Sequence, residues 1–176
     1  MILYFAGMAR GRYIGGELIQ GALIAGAHAL VEQKVYLNSI NVFPVADQDT
    51  GTNLAATVQA VREVLLKRRY LSISCALEDA GEAALENSRG NSGIIFSQFL
   101  LGCARALKKV RFATANDIAT SLEQGVYAAR QAVTQPAEGT ILSVLADWAQ
   151  YWQSQSRHYN DIISIARHSV AEARES

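Results

Sequence analysis

Only two prolines, Pro44 and Pro136, punctuate this chain of 176 residues, and their scarcity constrains the fold more than any other feature. Proline ends or kinks a helix, so the stretches between can run as long helices joined by short loops. Apolar residues recur there at three- and four-residue spacing, predicting helices over roughly 16–33, 52–69, 75–87, 92–109, 115–133, 139–154 and 161–174. Their starts are marked by Thr52 or Asn53, Ser74, Asn91 or Ser92, Thr114 or Asn116, Glu138 to Thr140, and Asn160. In the first helix, Leu18, Ala22, Ala25 and Ala29 define the face expected to pack inward, with glycines for close contact. No alternating run bounded by hairpin turns is present, so no strand is predicted. Seven helices with short connections imply an all-α fold, an up-and-down antiparallel helical bundle, in a single domain over 1–176. That length buries a core without disulfides or a structural metal.

Sixteen basic and sixteen acidic residues cancel, so no bulk field recommends nucleic acid or a charged membrane surface. The clusters Lys67-Arg68-Arg69 and Lys108-Lys109 with Arg111 fall at helix ends, where cations complement the carbonyl dipoles. Cys75 and Cys103 lack metal-type spacing and read as reduced core thiols. No basic segment precedes the apolar start Met1-Ile2-Leu3-Tyr4-Phe5, and no apolar run approaches the roughly 20 residues of a membrane span; the expectation is a cytoplasmic protein without membrane insertion. His28, His158 and His168 are scattered and are assigned no chemistry. Trp148 and Trp152, beside Tyr151, read as core or interface anchors.

The chemistry concentrates in Asn41-Val42-Phe43-Pro44-Val45-Ala46-Asp47-Gln48-Asp49-Thr50-Gly51-Thr52-Asn53. Asp47 and Asp49 offer the hard oxygens that Mg²⁺ prefers, with Asn41 a third by position, and the helix start behind them offers unpaired N–H groups to an anion. An EF-hand is excluded by position, because the sixth residue from Asp47 is Thr52 instead of glycine and the twelfth is Val58 instead of glutamate. The plainer alternative is two acids that complement a helix dipole. In Arg89-Gly90-Asn91-Ser92-Gly93 the residue types suit phosphate contact, and they equally suit a C-cap glycine followed by an N-cap. In an alternating bundle the loops before the second, fourth and sixth predicted helices share one end. Those loops carry Asp47 and Asp49, Asn91 and Ser92, and Glu138 and Thr140.

The first block resembles the Asn-Val-Phe-Pro-Val-Pro-Asp-Gly-Asp-Thr-Gly-Thr-Asn-Met signature in the nucleotide-binding domain of bacterial fatty acid kinases, a branch of the dihydroxyacetone kinase L-subunit (DhaL-like) superfamily. Ser88-Arg89-Gly90-Asn91-Ser92-Gly93-Ile94-Ile95 is similar to a second family segment, and Pro136-Ala137-Glu138-Gly139-Thr140-Ile141-Leu142 to a third. Ala46 and Gln48 depart from the family's Pro and Gly; if that glycine is left-handed, Gln48 must copy it at a cost of about 1–2 kcal/mol or shift the loop.

The resemblance implies a bundle of about eight helices holding ATP or ADP with two Mg²⁺ ions at one end. It assigns the metal to Asp47, Asp49 and Asn41, with the two aspartates catalytic, and the nucleotide to Thr50, Thr52, Asn53, Asn91, Ser92, Gly93, Gly139 and Thr140. The implied reaction is phosphoryl transfer to a fatty acid carboxylate presented by a separate, DegV-like acyl-binding protein; a homodimer is compatible with it. Family members continue beyond the third block, so a truncated piece of a longer multidomain protein is expected. Dihydroxyacetone as acceptor, an ADP-binding regulatory module and a helical scaffold or lipid-binding bundle with a degenerate site are the alternatives.

Overall fold

The structure, a computed structural model, describes residues 11–41, 47–158 and 161–175. Among them lie eight helices: α1 Gly16–Glu32, α2 Lys34–Ser39, α3 Thr50–Leu65, α4 Ile73–Glu86, α5 Gly90–Ala106, α6 Ala115–Gln131, α7 Ile141–Gln155 and α8 Ile162–Glu175. From α3 onward each helix packs on the next, while α1 lies across α3 and α4 and α5 also touches α3. Each element presents one apolar stripe. Leu65, Ile73, Phe99, Leu107, Leu122, Trp152 and Ile165 meet in a continuous core, the burial that supplies most of a bundle's stability. The all-α bundle expected from the periodicity is the observed fold.

Several local expectations are corrected. The six-residue α2 is too short to register as a period. The structure also has two short strands, β1 Ile14–Gly15 and β2 Phe112–Ala113, paired antiparallel. In α1 the expected inner face is the outer one. Leu18, Ala22, Ala25 and Ala29 are exposed, and Ala27 is buried beside the partly buried Ile19, Leu23 and Ile24. The reason is area: the larger aliphatic set removes more apolar surface from water than one leucine and three alanines. Cys75 is exposed, because α4 buries Ile73, Ser74, Ala76, Leu77 and Ala80 around it; Cys103 is buried.

Helix starts move as well. Ser72 precedes α4 in place of Ser74, and Arg89 precedes α5, leaving Asn91 and Ser92 inside the helix. Thr114 forms a capping box with Asp117; Asn160 lies outside the described residues. The basic run after α3 is paired as well as solvated: Arg68 meets Asp79 at 2.7 Å and Arg69 meets Glu17. The tryptophans anchor the core. Trp152 is buried, and Trp148 donates to Ser169 Oγ at 2.9 Å with its ring 6.3 Å from that of Phe99. Among the described residues no helix is long and apolar enough to cross a membrane.

The two ends of the bundle are built differently. At one end the β1–β2 ribbon joins the approach to α1 to the approach to α6. Ser72 Oγ donates to Val110 O and Ile73 N to Arg111 O there, and Ile162 N donates to Gly11 O. The starts of α1, α4, α6 and α8 therefore share that end. The starts of α3, α5 and α7 belong to the opposite one, as the connectivity argument requires.

The tightest helix contact is α5 on α6. A Cβ on Gly102 would lie 2.6 Å from Gln124 O and 2.7 Å from Gly125 Cα, both backbone atoms that cannot swing aside. Gly102→Ala is expected to cost about 1–3 kcal/mol in urea unfolding, the range for overpacking. The two thiols provide a second check. Burial pushes the Cys103 thiol up to about 12, so it stays protonated at neutral pH, and only the thiolate is nucleophilic. A thiol reagent is expected to label Cys75 in the native protein and Cys103 only on unfolding.

Candidate functional site

The start of α3 follows the aspartate loop directly, with Asp49 at its N-cap. Two asparagines outside the helix already engage its first amides. Asn41 Oδ1 accepts from Asp49 N at 3.2 Å and Thr50 N at 3.5 Å. Asn38, at the end of α2, accepts from Thr52 N and donates to Thr52 Oγ1, both at 3.0 Å. Gly51 permits this close docking, since a Cβ there would collide with Lys34 O and press on Leu37. The anion-binding role expected of this helix start is therefore largely taken up by internal caps. Asn38, absent from the expected site residues, is the one that organises it; its signal was an asparagine shortly before a second helix start.

Asp47, Gln48 and Asp49 are exposed. Gln48 has φ 55, a left-handed conformation that costs a non-glycine residue about 1–2 kcal/mol. The loop has kept a glycine-type backbone between its two acids without the glycine. Residues 42–46 lie outside the described set. Among the described residues no three His, Cys, Asp or Glu side chains cluster as a metal site. Two carboxylates on their own suit Mg²⁺, which keeps water and substrate oxygens in the rest of its shell.

The start of α5 is different, because no side chain caps it. Its first helical hydrogen bond runs from Gly93 N to Arg89 O at 3.2 Å, so the N–H groups of Gly90, Asn91 and Ser92 stand ahead of the ladder and carry the positive end of the dipole. Gly90 has φ 59 and is packed so tightly on Asn53 that a Cβ would strike the carboxamide; a Cβ on Gly93 would lie 2.8 Å from Thr57 Oγ1. Asn53 and Ser92 are buried polar residues. The Asn53 side chain makes no hydrogen bond among the described residues, yet its amide atoms are not sealed from solvent, unlike Trp152 Nε1, the one buried side-chain polar atom there without a partner. The α3 and α5 starts thus form one polar rim, and the donors on it come chiefly from α5.

The third block stands apart. Thr140 caps α7, its hydroxyl accepting from Leu142 N at 3.3 Å and donating to Ala137 O at 2.8 Å. Gly139 N donates to Ser143 Oγ at 3.0 Å, and that hydroxyl donates to Glu138 Oε2 at 2.6 Å. Glu138 also faces Arg130 at 3.8 Å. This turn is internally satisfied. Helix α7 packs on α6 and α8 and meets α5 only lightly, so the structure brings the first two blocks into contact and leaves the third at the same end without a described contact to them.

The fold and its two adjoining helix starts define an all-α helical-bundle domain. The chain belongs to the DAK2 domain family, whose model matches residues 44–176. That family is kinase-related, of the dihydroxyacetone kinase L-subunit type, and binds ADP or ATP in general. An uncharacterized protein of Staphylococcus haemolyticus is 34% identical over 93% of this chain and 30% of its own length. Uncharacterized proteins of Staphylococcus aureus strains RF122 and USA300 are 33% identical over the same shares. The chain thus spans about a third of the length of the curated relatives it matches.

Gln48→Gly tests the loop. Relief of the left-handed strain, offset by about 0.5–1 kcal/mol of added glycine entropy, should raise stability by about 1 kcal/mol in urea unfolding. Stability lowered by about 0.5–1 kcal/mol, the glycine entropy alone, would show that the conformation carries no strain.

Proposed function

We propose that this domain binds ATP with Mg²⁺ at the α3–α5 rim and donates a phosphoryl group to a fatty acid carboxylate presented by a separate acyl-binding protein. The observation that carries this reading is the uncapped start of α5, packed through Gly90 directly on the carboxamide of Asn53. The N–H groups of Gly90, Asn91 and Ser92, with the Ser92 hydroxyl and the Asn53 amide, supply directed donors to phosphate oxygens. Asp47 and Asp49 hold the metal, and Thr50 and Thr52 flank them. The carbonyl oxygen of Asn41 is a third ligand if it yields one of its two backbone donors, and otherwise fixes the loop by capping. Gly139 and Thr140 stand at the same end of the bundle, on the nucleotide's outer side.

Bound Mg²⁺ would neutralise charge on the phosphate oxygens, which with positioning is most of what phosphoryl transfer requires. This chain's residues position the donor; the rim contains no described cysteine or histidine to act as a covalent relay, and transfer needs none. The Asn-Val-Phe-Pro form of the loop favours an acyl carboxylate over dihydroxyacetone as acceptor. The left-handed Gln48 favours a working loop over a purely regulatory module, since the backbone that spaces the two acids is retained.

Calorimetric titration of ATP with Mg²⁺ tests the assignment. Asp47→Asn with Asp49→Asn is expected to weaken binding by about 100-fold, on the scale of lost charge-assisted contacts, and EDTA to do the same to the unsubstituted chain. Nucleotide affinity that is indifferent to both treatments would dismiss the aspartates as metal ligands.

A further inference from the structure

On the outer side of α5, away from α3, a trough of about 700 Å³ runs between α5 and α6. Its origin is the glycine contact described above: where Gly102 and Gly125 bring the two backbones together, the flanking side chains stand up as walls. The floor and sides are small and apolar, through Gly102, Ala106 and Ala128, with Ile94 toward the site end of the bundle. The volume lies within the range of small-molecule pockets, roughly 300–1,000 Å³.

Its charge pattern is unusual for a solvated helix face. Arg105 is the one charged residue in the lining, which otherwise holds neutral polar groups such as Gln98 and Tyr127. Among the described residues the Arg105 side chain has no ion pair or hydrogen bond. The acids on the neighbouring segments are engaged elsewhere: Glu123 accepts from Gln153 Nε2 at 3.1 Å, and Glu138 holds Arg130 and Ser143. Tyr127 is 63% exposed, a large amphipathic ring held at the trough with no covering group. One unpaired guanidinium beside small apolar walls complements a ligand with one anionic head and an apolar body.

The head is a monoanion and not a phosphate. Arg105 sits in the last turn of α5, where the carbonyl end contributes roughly half a negative charge. In the weak positive field that remains, a dianion gains about twice the attraction of a monoanion but carries about four times its desolvation cost, so a single charge suits the site better. A guanidinium also matches a carboxylate in bidentate geometry. A second copy of this chain is a poor occupant, because a symmetric trough would bring Arg105 no acid.

We propose that the α5–α6 trough binds a small amphiphilic carboxylate, its head on Arg105 and its hydrocarbon along Gly102, Ala106 and Ala128 toward Ile94. Fourteen residues of helix separate Arg105 from Asn91, about 21 Å at the α-helical rise. A carboxylate on Arg105 is therefore remote from the phosphate rim and is a bound effector, not the phosphoryl acceptor. This site does not rest on the kinase reading.

The probe is sodium decanoate, kept below its micellar range and titrated into the ¹⁵N-labelled chain. Saturable shifts confined to α5 and α6 are expected, about tenfold weaker in affinity for Arg105→Gln, as when one charge-assisted contact is lost. They should vanish for Ala106→Trp, which fills the trough at an exposed position; circular dichroism verifies that both variants are folded. Decanol and decylamine should not reproduce the shifts. The proposal is overturned by an absence of saturable shifts, by shifts that survive both substitutions, or by decanol binding as well as decanoate. An acidic amphipathic peptide that occupies the trough when decanoate does not would overturn it in favour of a partner helix.

Discussion

Helix α5 meets each of three neighbours across a glycine, and the rest of the bundle is arranged around that fact. Gly93 admits Thr57 of α3, Gly81 of α4 admits Leu101, and Gly102 with Gly125 bring α6 into backbone contact. Helices normally pack 8–10 Å apart because side chains keep them there. With a glycine at each crossing, α5 can serve α3, α4 and α6 at once while Phe99, Leu100 and Cys103 still fill the core between them. The same contacts underlie both surface features. The rim forms where α5 begins against α3, and the trough forms where α5 and α6 touch.

The rim illustrates how a helix start is claimed. Two starts lie side by side, each with the same unsatisfied amides, yet α3 receives the carbonyl oxygens of Asn38 and Asn41 while α5 receives no side chain. The one with internal partners becomes a structural joint. The other keeps its donors free of side chains, beside the Asn53 carboxamide on which Gly90 is packed.

Long-range order was legible in the residues because it follows from periodicity and connectivity. The bundle, the shared end of the α3 and α5 starts and the core role of Trp148 and Trp152 all come from those two properties. What could not be read depends on comparing faces or on short elements. In α1, Leu18 with three alanines has good helical spacing and still loses to Ile19, Leu23 and Ile24, because spacing says that a face exists and area says which one is buried. Asn38 was invisible as a cap because α2 is only six residues long. Thr140 has the sequence of a ligand contact, yet both functions of its hydroxyl are used within its own turn. The left-handed Gln48, by contrast, was anticipated from one substitution against a glycine motif.

The ribbon that joins β1 to β2, with the bonds from Ser72, Ile73 and Ile162, laces one end of the bundle through backbone groups distant in sequence. Nothing comparable among the described residues crosses between the α3 and α5 starts, which meet through a glycine and a side-chain amide. The molecule is in effect a clothespin with its spring at the laced end. A ligand that bridged the two starts would add, at the open end, the cross-link that the ribbon already supplies at the other.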